Sequence, residues 1–385
     1  MSARDNGPKP RSFAWMNRDH LLLTGATGFL GGTIAARLLH EARWKDVLLL
    51  VRAPTPAGAW DRVIKSLNRF EVGEKLLKKI SREQIICGGL ADLPTLTEDP
   101  RLAGVTHVLN CAAVTSFGQN PNTWPTNVEH TQLFAQRVAK LPRLKRFVHV
   151  STAMICGSTP PRVVFEDSYP AAGVHHLVGY TGSKAKAETL LRAELAGLPF
   201  VVARPSIIVG HTRLGCKPSG SIFWGFRMAD ALRMVTCEVD AVVDVIPVDY
   251  AAQAVLELLD AEKLRHTTYH ISAGMDYSSS FREIGHAFAR ALGEARPGDY
   301  RHVSYRDVTA LQNQFGEIFG PGNKRSMLAA ARLYGTFAGL NTVFDNKRLL
   351  GEGIAAPPRF ADYLDVCVES SKGISIAQQM LVDFE

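Results

Sequence analysis

Long apolar runs are scarce in this 385-residue chain, and none reaches the ~18 uninterrupted residues that a membrane-spanning helix needs. The nearest candidate, 327–344, is broken by Arg332, Gly335, Gly339 and Asn341, so it reads as a core helix or a lid over substrate. Cysteine is sparse and scattered: Cys87, Cys111, Cys156, Cys216, Cys237 and Cys367 form no C-x-x-C and have no histidine at metal spacing. That excludes a zinc or disulfide framework, and it suits thiols buried in a reducing cytosol. No repeat or low-complexity tract occurs. Residues 1–18 contain Pro8, Pro10 and several charges but no apolar core. They read as a loosely ordered lead-in rather than a signal peptide, and the expected location is cytoplasmic.

What is present is ordinary globular composition, 46% apolar and 21% charged, with a net charge of +7. The positive excess permits an anionic ligand or an acidic partner surface without specifying either. Short apolar runs at 20–24, 47–51, 84–87, 107–110, 147–151 and 200–203 alternate with helix-length segments at 31–42, 59–80, 127–141 and 183–195. Runs without polar alternation are what strands covered on both faces require. The order therefore predicts an α/β fold with a doubly wound parallel sheet of Rossmann type. A platform at 19–210 is expected, with 242–274 returning to it, and 211–241 and 275–385 would form a smaller substrate-binding part.

The first run leads into Thr24-Gly25-Ala26-Thr27-Gly28-Phe29-Leu30-Gly31. Glycines between a strand and a helix allow a tight turn and close approach of backbone to a pyrophosphate, whose charge the helix N-terminus attracts. The acid that would bind a ribose 2′-hydroxyl at the end of the second strand is missing, and Arg52 stands there. A guanidinium pairs with a 2′-phosphate, so Arg52, with Arg62 closing the other side, favours NADPH over NADH.

Tyr180 and Lys184 form Y-x-x-x-K at the start of a helical segment, where i and i+4 share a face. An ammonium there is expected to lower the phenol pKa. Thr152, about thirty residues upstream at the end of an apolar run, would add a second donor to an oxygen gaining charge.

Taken together, TGxxGxxG, Asn110-Cys111-Ala112-Ala113, 150–157, Tyr180/Lys184 and Arg204-Pro205-Ser206 resemble the extended short-chain dehydrogenase/reductases over roughly 19–274. The resemblance implies Thr152 and Tyr180 as catalytic donors and Lys184 as the ribose anchor. It also implies Ala112 and Ala113 beside the cofactor, Pro205, Ser206 and Ile207 along the nicotinamide, and Asn127-Val128 as the segment after the fourth strand. Val51-Arg52-Ala53 followed by a long insertion (54–82), 179–188, and 245–250 are similar to the thioester reductase branch. That branch holds the reductase domains of carboxylic acid reductases and peptide or polyketide synthases, and the fatty acyl reductases. The chain departs from it in Gly88-Gly89-Leu90, where the branch has G-D-L, with Asp92 displaced, and in Cys156, where many extended members have Tyr.

What the resemblance implies is NADPH-dependent reduction of an acyl thioester on a carrier protein or coenzyme A, to the aldehyde or onward to the alcohol, by a stand-alone partner. Basic clusters at 75–82 and 143–146 are candidate docking faces, and His175-His176 would border the pocket. No metal, nucleic acid or membrane span enters this reading. Two others stay open: an NADP-dependent enzyme acting on a free nucleotide sugar or sterol-like alcohol, and a non-catalytic dinucleotide-binding protein.

Overall fold

Leucine- and valine-rich segments too short to be helices assemble into one seven-stranded sheet. A computed structural model describes residues 19–92, 96, 98–171, 173–294 and 299–384, so the lead-in expected at 1–18 lies outside the described residues. The strands are β1 (Leu21–Thr24), β2 (Val47–Val51), β3 (Ile85–Cys87), β4 (His107–Asn110), β5 (Arg146–Val150), β6 (Phe200–Pro205) and β7 (Thr268–Ile271). They run parallel in the order β7-β6-β5-β4-β1-β2-β3. Leu21 pairs with Val47 on one side and His107 on the other. The strand order therefore reverses at β1, which opens a crevice beyond the carboxyl ends of β1 and β4.

Ten helices of eight residues or more surround the sheet among the described residues: α1 (Phe29–His40), α2 (Pro56–Asn68), α3 (Thr131–Val138), α4 (Gly179–Glu194), α5 (Phe223–Leu232), α6 (Val248–Asp260), α7 (Phe281–Leu292), α8 (Lys324–Gly339), α9 (Phe360–Ser370) and α10 (Ile376–Phe384). Residues of α1, α2 and α6 form one core with Leu21, Leu23 and Leu49. Phe134 and Leu191, from α3 and α4, pack with Phe147 and Phe200 on the opposite face. Alternate strand residues thus face two different cores, so both faces must be apolar. Thr55 caps α2 by accepting from the Gly58 amide at 3.1 Å, with Pro56 in the first helical position.

Two further cores build the part beyond the sheet. Phe223 and Phe226 of α5 pack with Phe288 and Phe360 of α7 and α9. Trp224 and Met228, on the other side of α5, pack with Phe315, Met327 and Met380. Asp244 ties this part to the sheet: its buried carboxylate accepts from the amides of Ala273 (2.7 Å), Gly274 (3.2 Å) and Phe344 (3.0 Å).

Three segments differ from the sequence expectation. The helix expected over 59–80 stops at Asn68, because Glu71 adopts a left-handed φ of 54° and only a short turn, Glu74–Leu77, follows. The helix expected over 127–141 opens as a π turn, Pro125–His130, before α3 begins. The strand expected at 242–248 is two short ones. Val242–Val243 pairs with Ser279–Ser280, and Val245–Ile246 pairs with Ile207–Ile208, because Asp244 between them turns inward to its amide partners.

Candidate active site

The glycine-rich turn leaves β1 and enters α1 with almost no spare volume. Gly25 has φ +73°, and a Cβ there would meet the Cys111 carbonyl carbon at 2.6 Å. A Cβ on Gly31 would meet the Gly25 carbonyl oxygen at 2.2 Å. Gly28 provides no side chain to cap α1, so the first-turn amides of Phe29, Leu30 and Gly31 face the crevice unclaimed by a capping group. Such a cradle fits a pyrophosphate, and Thr24, Thr27 and Gly28 belong to the same turn.

Its support includes residues that sequence reasoning missed. Arg69 donates to the Thr27 carbonyl at 2.7 Å, and Ser66 to that of Ala26 at 3.3 Å, so α2 holds the turn from behind. Across the strand ends, Thr24 Oγ1 donates to Asn110 Oδ1 at 2.6 Å and accepts from the Ala112 amide at 3.2 Å. Asn110 Nδ2 lies 3.2 Å from Nδ1 of fully buried His149, which burial holds well below the usual histidine range. This chain of contacts spans β1, β4 and β5, and places Ala112 and Ala113 at the rim. Only their convergence in space reveals it; the spacing in sequence carries no signal.

Arg52 is exposed at the end of β2, and Arg62 reaches back from α2 to donate to the Arg52 carbonyl at 2.8 Å. The structure thus brings the two guanidinium-bearing residues to one edge of the crevice. Gly89 lies against the Arg52 stem, with a Cβ there 4.0 Å from Arg52 Cγ.

Tyr180 and Lys184 lie in the first two turns of α4. Asn127, from the π turn, donates to Ser183 Oγ at 3.0 Å, and Ser183 donates to the Tyr180 carbonyl at 2.7 Å, which fixes the helix start. The Lys184 ammonium donates to the Val150 carbonyl at 2.6 Å, and burial brings its pKa down to about 8. The expected lowering of the Tyr180 pKa is not found. Burial alone acts on that phenol and pushes it up to about 12, while the ammonium is engaged at the end of β5. Tyr180 is therefore a neutral hydrogen-bond donor across the physiological range. Thr152 is buried, donates to the Pro205 carbonyl at 3.4 Å and accepts from the Met154 amide at 3.2 Å. That contact brings Thr152 to the Pro205-Ser206-Ile207 segment.

Beyond Tyr180 the site turns aromatic. The Tyr180 ring stacks on Phe117 (5.9 Å between centroids), which contacts Tyr334 (5.6 Å) and Phe337 (5.3 Å) of α8. Tyr334 meets Trp224 of α5 edge-on at 4.8 Å. Behind these rings, between α5 and α8, lies a cavity of about 120 Å³ with no charged residue in its lining. A narrower space of about 20 Å³, bordered by Met154, shares Ile207, Val243, Phe337 and Ala338 with it. The segment 327–344 is thus mostly α8, one wall of this cavity. A larger open groove lined by Arg213, Lys217, Arg290, Asp365 and Glu369 holds none of the candidate catalytic residues.

The expected docking clusters lie elsewhere. Residues 75–82 and 143–146 precede β3 and β5, and so sit at the end of the sheet opposite the crevice. There Lys145 pairs with Asp19 at 2.6 Å, and Arg146 donates to the Leu258 carbonyl at 2.9 Å. His175 lies 3.3 Å from Ser158 Oγ, and the His176 ring packs over Gly182. No helix among the described residues is long and apolar enough to cross a membrane.

Residues 23–255 match the family described as male sterility protein, an NAD-binding domain family. The chain belongs to that family. It is an extended short-chain dehydrogenase/reductase of the thioester reductase branch, with the fold of a nicotinamide-dinucleotide-binding domain. Fatty acyl-CoA reductase 2 of Mus musculus is 28% identical over 279 residues, 61% of this chain and 53% of that protein. An isonitrile lipopeptide synthase of Streptomyces coeruleorubidus is 31% identical over 264 residues, 66% of this chain and 17% of its own length. An aldehyde reductase of Aspergillus flavus is 27% identical over 327 residues, 78% of this chain and 30% of that one. The chain therefore spans about half or less of each of these relatives. The terminal R domain of the myxalamid PKS-NRPS pathway shares the fold, with TM-score 0.73, 22% identity, and 93% and 91% of the two chains covered. So does a thiolation-reductase di-domain from an archaeal non-ribosomal peptide synthetase, with TM-score 0.65, 18% identity, and 92% and 75% covered.

Proposed function

We propose that this male sterility family member reduces an acyl thioester to an aldehyde with NADPH. The observation that carries the reading is the uncharged cavity whose wall residues Tyr334 and Phe337 are joined to Tyr180 by the Phe117 ring. A nucleotide sugar would bring phosphates and hydroxyls into a lining with no charge to meet them, whereas an acyl chain needs only apolar walls. The fatty acyl-CoA reductase relative and the thiolation-reductase neighbour support a thioester on coenzyme A or on a carrier protein.

The cofactor would rest with its pyrophosphate on 24–31, its 2′-phosphate between Arg52 and Arg62, its ribose against Lys184 and its nicotinamide along 205–207. When bound, it supplies the hydride that reaches the thioester carbonyl carbon. The chain's own part is to manage the oxygen. Tyr180, held neutral by burial, donates a hydrogen bond and then its proton to the developing oxyanion. The hemithioacetal so formed yields the aldehyde as its C–S bond breaks, its hydroxyl proton passing back through Tyr180 to the leaving thiolate. Thr152 exchanges its long bond to Pro205 for the same oxygen. Lys184, anchored on the Val150 carbonyl, fixes the ribose. The aromatic ring cluster excludes water from the carbonyl.

The test is an assay of NADPH oxidation with an acyl-coenzyme A. Tyr180→Phe should lower kcat by about 10²–10⁴ while leaving the thioester KM near its original value. An unchanged kcat would overturn the mechanism.

A further inference from the structure

Gly225 sits inside α5, and glycine is the poorest helix former apart from proline. Two structural reasons for a glycine are missing at this position. Its φ is not positive, and a Cβ built on it would meet no atom within 4 Å. The space that it leaves is the charge-free cavity between α5 and α8. On the facing helix, Gly335 is close-packed instead: a Cβ there would lie 2.3 Å from Thr236 Oγ1. One glycine thus lets the helix wall approach, and the other leaves room.

Building on the thioester reading, we infer that this cavity is the acyl-tail pocket, that it takes a compact aliphatic chain, and that Gly225 sets its depth. The cavity of about 120 Å³ is close to the ~150 Å³ of an apolar cavity that holds benzene, so it admits on the order of six carbon atoms. The narrower space bordered by Met154, Ile207 and Phe337 adjoins it, and the Met154 amide is bonded to Thr152, so the cavity lies next to the residues that would hold the reacting carbonyl. Charged or strongly polar acyl groups are excluded, because the lining offers no counter-charge. A much longer chain must leave its end outside.

The experiment compares kcat/KM for butyryl-, octanoyl- and tetradecanoyl-coenzyme A with NADPH in the parent and in Gly225→Leu. The first added carbon meets no atom within 4 Å, the rest of the leucine occupies cavity volume, and helix propensity improves. Each methylene buried in the parent should raise kcat/KM about fourfold, equivalent to ~0.8 kcal/mol, until the pocket is full. The octanoyl-to-butyryl ratio should then fall about tenfold or more in Gly225→Leu, since a leucine side chain displaces several methylenes. Titration of the full chain with S-octyl-N-acetylcysteamine, a thioether that cannot be reduced, reads the pocket without chemistry. Its affinity should fall by a similar factor. If the octanoyl-to-butyryl ratio and the thioether affinity both stay within about twofold of the parent, the tail pocket is overturned and the reductase reading stands. If no thioester supports NADPH oxidation but residue 225 still governs thioether binding, the pocket stands and the reductase reading falls.

Discussion

Arg52 and Lys184 carry the two charges on which the cofactor reading depends, and each has its own consequence. Arg52 is exposed at the strand end with Arg62 bound to its carbonyl, so its guanidinium is presented rather than consumed by the fold. Replacing it by Glu should weaken NADPH by about 2 kcal/mol, roughly thirtyfold, with little loss for NADH. Dinucleotide titration followed by fluorescence measures the ratio, and an unaltered preference would show that the 2′-phosphate lies elsewhere. Lys184 makes a prediction about stability. Its pKa is about 8 in the folded chain against an ordinary 10.5. Between those values the unfolded chain holds more protons, so the folded state gains stability as pH rises; below about pH 8 the full burden of a buried ammonium remains. Lys184→Met removes that dependence. The parent should therefore gain on the variant in Tm from pH 8 to pH 10.5, and parallel curves would contradict this.

At the level of elements, α4 is held to β6 by a buried ion pair one turn beyond Lys184. Arg204 is fully buried and donates to Glu188 at 3.1 Å through Nε and more closely through Nη2, while Arg192 reaches the same carboxylate at 2.8 Å. Arg204 also donates to the carbonyls of Glu166 and Ser168, both at 3.2 Å. Arg204→Met should cost about 3–5 kcal/mol in urea unfolding, and adding Glu188→Leu should recover part of it, because the buried carboxylate left with Arg192 alone is then gone. The same element shows what was legible in the sequence. The strands were readable because both faces must be apolar, and Tyr180 and Lys184 because their spacing is itself the signal. Arg69, the Asn110–His149 contact and the Phe117–Tyr334–Phe337 cluster were not, since each joins residues far apart in the chain. The splitting of 242–248 was hidden for the same reason, because the amides that draw Asp244 inward belong to 273–274 and 344.

For the whole molecule, the +7 charge is unevenly used. The clusters at 75–82 and 143–146 face away from the crevice. On the outer side of α8, Arg325 and Arg332 line a groove with Leu177, three residues before Tyr180. An acidic carrier that delivers a thioester would meet these two guanidiniums. Raising salt from about 0.1 to about 1 M shortens the screening length from about 10 to about 3 Å. Turnover of a carrier-bound thioester should therefore fall more steeply than turnover of a small uncharged aldehyde. Equal salt sensitivity would argue against a charged docking face.

The sheet also dictates an order of assembly. β6 ends at Pro205, yet its outer neighbour β7 lies more than sixty residues later, and the Asp244 clamp awaits Phe344. During synthesis, most of the cofactor platform emerges with the edge of β6 unpaired, a state open to non-native strand pairing. The C-terminal third, which supplies α8 as one wall of the cavity, is therefore also what completes and protects the platform as the chain matures.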